Sequence, residues 1–401
     1  CACHNCFMNV PTTMAFSQSM LYLITFTCFI HITKPSNLNT DTLFQGHQLT
    51  TTESLISSVS YYTLSFFQYE GSENFYLGIR PTTDNSSDSY FWIANRDMPI
   101  RDPLVFLTID RYGNMKIVYN GGNSTIILYS SSQAVESNNN NSTISAFLRD
   151  DGSFLLRQMN QNGSVKRVLW ESFDYPTDVI ISGMKLGFNR KTGHNWSITS
   201  WRSDKSPLSG SFSLGLDQKT KELVMWWRGK VVWSSGQWND GSFANLKSSP
   251  FDKDFVFEYH SDENETYVTY VPLGYMYIGS SGSIYGSISG AFYSCINNYF
   301  LQGCSMPSLP KCSDGDHSLY SSNWSSYGVM SSKGFKFDES EKLSNFDCWM
   351  KCLNNCTCEA YSYTNEDETG CEIWSRDSVS FMATNNLTAG GRNIYFLRRK
   401  K

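Results

Sequence analysis

The sequence contains few of the residues that catalytic, metal-binding and nucleic-acid-binding sites use. Only 6 of its 401 residues are histidine, and charged residues make up 17% of the chain. Lysine and arginine number 32 against 37 aspartates and glutamates, which gives a formal net charge of −5. The chain therefore lacks the basic excess that attracts nucleic acids and anionic membranes. These shortages favour a binding or structural protein over an enzyme.

The sequence also lacks an apolar run long enough to span a bilayer, which takes about 20 residues. Its most apolar run, Leu21–Ile30, has the length of a signal-peptide core. We predict that residues 1–40 are a leader with a signal peptide, the alternative for the run being a buried strand. The chain begins with Cys1 rather than methionine, so residues 1–13 are interpreted as upstream of the true start or as the mark of a fragment.

No nucleotide-binding, kinase, metalloprotease or serine-hydrolase motif occurs in the sequence. A glycan-active enzyme would need two carboxylates that face each other across a cleft. Glu171 and Asp174 are candidates by type, but they lie in a motif that has a structural explanation. We therefore predict no catalytic residue, no cofactor and no metal site.

Aromatic residues, by contrast, make up 15% of the chain. From Leu55 to about Val271, short runs of aromatic and β-branched residues alternate with glycine, asparagine, aspartate and serine. This pattern is typical of an all-β sandwich, barrel or prism. Turn sequences repeat at 110–114, 150–153 and 160–163, which indicates an internal repeat of strand pairs. The one convincing helix is predicted at 345–353, after a capping box formed by Ser344 and Asp347.

Cysteines and sequons favour an exported protein. Eight cysteines outside the leader lie in the C-terminal third and indicate a disulfide framework, with a zinc module as the alternative: Cys295, Cys304, Cys312, Cys348, Cys352, Cys356, Cys358 and Cys371. Ten candidate N-glycosylation sites begin at Asn85, Asn123, Asn140, Asn141, Asn162, Asn195, Asn264, Asn323, Asn355 and Asn386. We predict a secreted protein or one on the extracellular face of the plasma membrane.

Several motifs together resemble the extracellular region of plant G-type (bulb-type) lectin S-receptor-like serine/threonine kinases and S-locus glycoproteins. They are NFYLGIR at 74–80, WIANRD at 92–97, LWESFDYPTD at 169–178, GMKLG at 183–187, and the cysteine-rich tail from Cys348 to Trp374. The resemblance implies tandem lectin-like β-prism domains followed by a small disulfide-bonded α+β PAN/apple domain. It places the bulb-type lectin domain at 41–168, the S-locus domain at 169–290, a degenerate EGF-like linker at 291–321 and the PAN domain at 322–398.

The resemblance also implies where a mannose site would lie. Bulb lectins bind mannose through the pattern Gln-x-Asp-x-Asn-x-Val-x-Tyr. The best match begins at Asp110 and keeps only Asn114, while a second match keeps Asp151 and has Ser153 at the Asn position. Since an unpaired buried polar group costs about 1–3 kcal/mol, we expect that mannose binding is lost and that these residues shape turns.

Two further groups of residues have both a structural and a binding interpretation. Asn95, Arg96 and Asp97 are expected to form a satisfied polar corner, with a ligand-facing cluster as the alternative. Four tryptophans are expected to pack in the core or between domains, with a ligand platform as the alternative: Trp226, Trp227, Trp233 and Trp238.

The family's PAN pattern implies disulfides between Cys348 and Cys371 and between Cys352 and Cys358. Three cysteines precede the PAN region, and the region itself contains five. One bridge should therefore join the two regions, from Cys304 or Cys312 to Cys356.

We predict an extracellular recognition region that binds a glycan, a peptide or a lipid-like ligand. The alternative is a ligand-less assembly module that forms a homodimer or pairs with a full-length receptor kinase.

Overall fold

The computed structural model describes residues 41–69, 71–83, 90–131, 142–246, 256–288, 292–295, 302–312, 324–330, 333–375, 381–383 and 392–397. The predicted leader, residues 1–40, lies outside these ranges. Within them the chain is mostly β, as predicted, and the strands form two prisms and a C-terminal domain with a helix.

The first prism consists of three four-stranded sheets around one core. Its strands are β1 (Thr42–Phe44), β2 (Gln48–Thr50), β3 (Ser54–Ile56), β4 (Tyr62–Phe67), β5 (Tyr76–Pro81), β6 (Trp92–Ile93), β7 (Phe106–Ile109), β8 (Met115–Tyr119), β9 (Ser124–Tyr129), β10 (Ser142–Leu148), β11 (Phe154–Asn160) and β12 (Val165–Glu171). Strands β1, β2 and β3 join β10–β12, β7–β9 and β4–β6, respectively. Alternating side chains such as Leu107 and Ile109 point into the shared core.

The second prism repeats this nested order of strands. Its strands are β13 (Val179–Ile181), β14 (Lys185–Asn189), β15 (Asn195–Ser203), β16 (Ser206–Leu216), β17 (Leu223–Trp227), β18 (Lys230–Ser234), β19 (Trp238–Asn239), β20 (Ser242–Phe243), β21 (Phe257–Ser261), β22 (Glu265–Tyr270), β23 (Tyr275–Ile278), β24 (Ile284–Gly286) and β25 (Phe292–Tyr293). Strand β13 joins β23–β25, β14 joins β21 and β22, and β15 joins β16–β18. Pairing between β14 and β15 merges the last two groups into one seven-stranded sheet.

One hairpin loop of five residues occurs four times in the described parts of the two prisms. In each copy the first residue donates from its N–H to the last residue's carbonyl, and the fourth residue, a glycine, donates back to the first. The copies span 110–114, 149–153, 160–164 and 279–283, and their glycines have φ between +76° and +88°. Glycine adopts this conformation without the steric cost that a Cβ atom brings, which explains its place in the repeated turn sequences.

The C-terminal domain packs one helix on a six-stranded sheet. Its elements are β26 (Trp324–Met330), β27 (Phe335–Lys336), α1 (Asn345–Leu353), β28 (Cys358–Ser362), β29 (Glu372–Ser375), β30 (Phe381–Ala383) and β31 (Arg392–Phe396). Ser344 and Asp347 form a capping box at the start of α1, so the predicted helix and its cap are confirmed.

Four disulfides tie this end of the chain. Cys348 and Cys352 lie buried on α1 and bond Cys371 and Cys358, the pairs that the family resemblance implies. Cys312 bonds Cys356 and links the linker to the C-terminal domain. The sequence left Cys304 and Cys312 as alternative partners of Cys356. Cys304 does not take that role, because it bonds Cys295.

A hairpin of the second prism anchors the C-terminal domain. The turn between β17 and β18 brings Trp227 and Arg228 to the capping-box carboxylate of Asp347. Asp347 accepts hydrogen bonds from Trp227 Nε1 at 2.8 Å and from Arg228 Nη2 at 2.6 Å. Phe346 packs beside them against Phe212, with ring centroids 4.8 Å apart. The cores of the second prism and the C-terminal domain are therefore continuous.

We expect Asp347→Asn to lower the free energy of unfolding at pH 7 by about 2–3 kcal/mol, since it breaks a charge pair with a buried member. Burial opposes ionisation of Asp347, but hydrogen bonds led by Arg228 outweigh it and hold the pKa below its ordinary value of 3.8. The stabilisation is therefore present above that value and is lost as the pH falls through the lowered folded-state pKa.

Chemical denaturation of both proteins at pH 7 and at pH 3 measures this effect. The variant should lose less stability than the wild type between the two. Glu263→Gln, at an exposed carboxylate, is the control and should shift stability by less than about 0.5 kcal/mol. An equal acid dependence in wild type and Asp347→Asn would contradict the assignment.

Candidate ligand-binding surfaces and the prism junction

In the first predicted sugar-site loop, the polar side chains bond to groups of the same loop and of the adjoining strand. Asp110 Oδ1 accepts hydrogen bonds from the N–H groups of Tyr112 at 2.9 Å and Asn114 at 3.0 Å. Its Oδ2 accepts from Asn114 Nδ2 at 3.0 Å and pairs with Lys116 at 3.1 Å. Asn114 Oδ1 accepts from the N–H of Ser131 at 2.8 Å. Burial opposes ionisation of Asp110, but the hydrogen bonds from Asn114 and Lys116 outweigh it and lower the pKa of the carboxyl.

The second sugar-site loop is satisfied in the same way. Asp151 Oδ1 accepts hydrogen bonds from the N–H of Ser153 at 2.9 Å and from its hydroxyl at 2.7 Å. Asp151 Oδ2 pairs with Arg149 at 3.0 Å. This loop joins β10 and β11, whereas the loop of Asp110 joins β7 and β8 in another sheet. The structure therefore assigns the two loops to different sheets of the first prism.

The four tryptophans do not share one face. Trp226 and Trp227 are successive residues of β17, so their side chains point to opposite faces. Trp233 is buried in the core and donates from Nε1 to the carbonyl of Gln302 at 2.9 Å. Trp238 stacks on Tyr259 with ring centroids 5.6 Å apart. Trp233 lies in the core of the second prism, and Trp227 and Trp238 pack against that same core. Three of the four tryptophans therefore take the packing role.

Asn95 forms the polar corner expected from the sequence. Its Oδ1 accepts from the N–H of Leu77 at 2.9 Å. Its Nδ2 donates to the carbonyls of Phe75 at 3.1 Å and Met98 at 3.0 Å. Because these partners belong to the first prism, Asn95 fixes the backbone that carries the next two residues.

Arg96 and Asp97 clamp the first prism to the second. The buried guanidinium of Arg96 donates to the carbonyls of Pro207 at 2.8 Å, Thr199 at 2.9 Å and Ser200 at 2.9 Å. Asp97 accepts from the N–H of Ser209 at 2.7 Å and from its hydroxyl at 2.6 Å. Burial lowers the pKa of Arg96, while the nearby carboxylate of Asp178 acts in the opposite direction.

Two features of these junctions were missed by sequence reasoning. The motif containing Arg96 marked a polar cluster, but its partners lie more than 100 positions further along the chain. Asp347 was recognised as a capping residue, whereas its partner Arg228 lies 119 positions away. Arg228 has φ +47° in a two-residue hairpin turn, a conformation that is uncommon for a residue other than glycine. The sequence around Arg228 gives no sign of this conformation.

Five of the predicted glycosylation sites lie in the described ranges, and each asparagine is exposed: Asn123, Asn162, Asn195, Asn264 and Asn355. The other five, Asn85, Asn140, Asn141, Asn323 and Asn386, lie outside them.

Within the described part of the chain, no group of three or more His, Cys, Asp or Glu side chains could hold a metal ion. No helix in those same ranges is long and apolar enough to cross a membrane.

Arg96→Ala should lower the free energy of unfolding by about 3 kcal/mol or more, because it leaves three carbonyls without their donor and Asp178 without a nearby positive charge. Urea denaturation provides the measurement. The matched control is Arg111→Ala, an exposed arginine whose side chain contacts Tyr112, and it should change stability by less than about 0.5 kcal/mol. Equal effects of the two substitutions would show that the clamp contributes nothing.

Comparison with known proteins agrees with this architecture. The family described as "D-mannose binding lectin" matches residues 89–202, and the family described as "PAN-like domain" matches residues 334–381. Among solved structures, the two-domain, fetuin-binding Scilla campanulata agglutinin is 11% identical, with a TM-score of 0.21, over 67% of this chain and 90% of its own. That TM-score is too low for the likeness to bear on the fold.

Two curated relatives match this chain over most of its length. The chain is 34% identical to G-type lectin S-receptor-like serine/threonine-protein kinase CES101 of Arabidopsis thaliana over 94% of this chain, which spans about half (48%) of that relative's length. It is 26% identical to S-locus-specific glycoprotein S6 of Brassica oleracea, covering 94% of this chain and 96% of that protein. The resemblance inferred from the motifs is therefore confirmed: the chain carries lectin and PAN-like domains and is a homologue of the G-type lectin S-receptor-like kinases and S-locus glycoproteins.

Proposed function

We propose that this chain is an extracellular ligand-recognition region, either of a receptor-like kinase or of a secreted relative, and that its two mannose-type loops do not bind sugar. The observation that carries the proposal is the internal hydrogen bonding of those loops. Both carboxylate oxygens of Asp110 and of Asp151 already accept hydrogen bonds or form ion pairs. Their partners are groups of the same loop or of the adjoining strand. A sugar hydroxyl would have to displace these partners, and each displaced partner reduces the net gain.

Two features support an extracellular location, namely the disulfide bonds and the exposed glycosylation sites. Four disulfides join all eight cysteines that follow the predicted leader, and such bonds persist in oxidising compartments. The five described sequon asparagines are exposed, as glycosylation requires. These features accord with relatives named as receptor-like kinases and S-locus glycoproteins.

Asn114→Ala tests the assignment of the loops. We expect it to leave any saccharide binding unchanged, because Asn114 acts within the fold. We also expect it to lower the free energy of unfolding by about 1–2 kcal/mol, since it removes hydrogen bonds to Asp110 and Ser131. Asn239→Ala is the control: this exposed hairpin asparagine makes no side-chain hydrogen bond in the described part of the chain, and its loss should cost less than about 0.5 kcal/mol.

The measurements are denaturation of each variant and binding of the full chain to arrays of glycans, lipids and peptides. Mannose binding by the wild type that disappears in Asn114→Ala would overturn the assignment of the loops. Silence on all three arrays would overturn ligand recognition itself.

A further inference from the structure

The linker before the C-terminal domain pairs with the second prism. The N–H of Ser305 donates to the carbonyl of Val232 at 2.8 Å, and the N–H of Ser234 donates to the carbonyl of Gly303 at 3.1 Å. These bonds set residues 302–305 antiparallel to β18. The linker therefore lies as an added segment along the hairpin formed by β17 and β18.

This hairpin is connected to both ends of helix α1. Its turn carries Trp227 and Arg228, which donate to Asp347 in the first turn of the helix. The linker segment along its other strand leads to Cys312, which bonds Cys356 in the turn that follows the helix. Hydrogen bonds thus attach the start of α1 to the hairpin, and a covalent bond attaches its end to the linker.

The four disulfides differ in their access to solvent. Among the eight bonded cysteines, all of which lie in the described ranges, only Cys356 is exposed, and the whole turn 354–357 around it is exposed as well. Its partner Cys312 is partly exposed. Cys295 and Cys304 pack against the core of the second prism. The cysteines of the two disulfides on α1 are at most 1% exposed.

Access to sulfur decides which of these bonds reacts first. In thiol–disulfide exchange a thiolate must reach one sulfur of the bond, so exposed disulfides are the labile ones and buried disulfides are protected. Cys356 offers such a sulfur at the tip of an exposed turn. The bond that connects the linker to the C-terminal domain is therefore the one that a reductant reaches first.

We propose that the Cys312–Cys356 bond is a redox switch, which a dithiol opens before the other three disulfides and which controls how tightly the linker holds the C-terminal domain. One thiolate of the dithiol attacks Cys356 Sγ and releases Cys312 as a thiolate, which takes up a proton. The second thiol attacks the dithiol's own sulfur in the mixed disulfide and releases Cys356. The dithiol becomes a disulfide, and its two electrons and two protons pass to the two cysteines.

Opening the bond changes the junction without unfolding the domain. The two buried disulfides on α1 stay intact, and Asp347 keeps its hydrogen bonds to the hairpin. The linker loses its covalent hold at Cys312, so the hydrogen bonds between residues 302–305 and β18 open more often. Because the remaining contacts keep the two thiols near each other, oxidation re-forms the bond. This inference does not depend on ligand recognition and goes beyond the proposed function.

The experiment treats the full chain with increasing dithiothreitol, traps free thiols with an alkylating reagent and identifies the labelled cysteines by peptide mass spectrometry. Cys312 and Cys356 should be labelled at least about tenfold faster than the other six cysteines of the four disulfides, because access limits the exchange. Hydrogen exchange on the same samples should become faster in peptides covering 230–234 and 302–312. Peptides covering β28, inside the C-terminal domain, should exchange as before.

The double substitution Cys312→Ser/Cys356→Ser is the control for the second measurement. It should show the faster exchange at 230–234 and 302–312 without reductant, and mild reductant should change nothing further. Labelling of any other pair first, or at the same rate, would overturn the assignment of the sensitive bond, and this outcome is read on the wild type alone. Selective labelling with unchanged hydrogen exchange would overturn the control of the junction.

Discussion

The guanidinium of Arg96 reaches from the first prism into the second and donates to three backbone carbonyls there. Burying an arginine is expensive unless its donors are satisfied, and these carbonyls meet that requirement in one relative position of the two prisms. Asp97 adds contacts to Ser209 on the same side. Any surface composed of residues from both prisms depends on this position being held.

The same use of charge recurs where the second prism meets the C-terminal domain. Asp347 caps its own helix and at the same time accepts from Trp227 and Arg228. One carboxylate therefore couples the start of helix α1 to a hairpin of another domain. Such pairs add geometric specificity more than net stability, because desolvation offsets much of their attraction. Phe346 packs on Phe212 beside these charged groups and buries apolar surface between the two domains. The charged groups fix the orientation in which the apolar surfaces meet.

The polar side chains of the two lectin-type loops hydrogen-bond within their own loops. Asp110 and Asp151 stabilise hairpin loops that also occur at 160–164 and 279–283, outside the sugar-site matches. Since the loop geometry is general to these prisms, retaining an aspartate in it does not require a sugar.

Local signals in the sequence determined much of the architecture. Period-two apolar patterns and glycine turns marked the sheets, the spacing of Ser344 and Asp347 marked the helix and its cap, and the motifs marked the lectin and PAN-like domains. These features depend on neighbours a few residues away, which a single sequence displays. Only the tertiary structure chose Cys312 over Cys304 as the partner of Cys356, gathered Trp227, Trp233 and Trp238 at one core, and brought Arg228 to Asp347 and Arg96 to Pro207. Those outcomes depend on how distant strands pack, and packing is decided by the whole core rather than by any local run of residues.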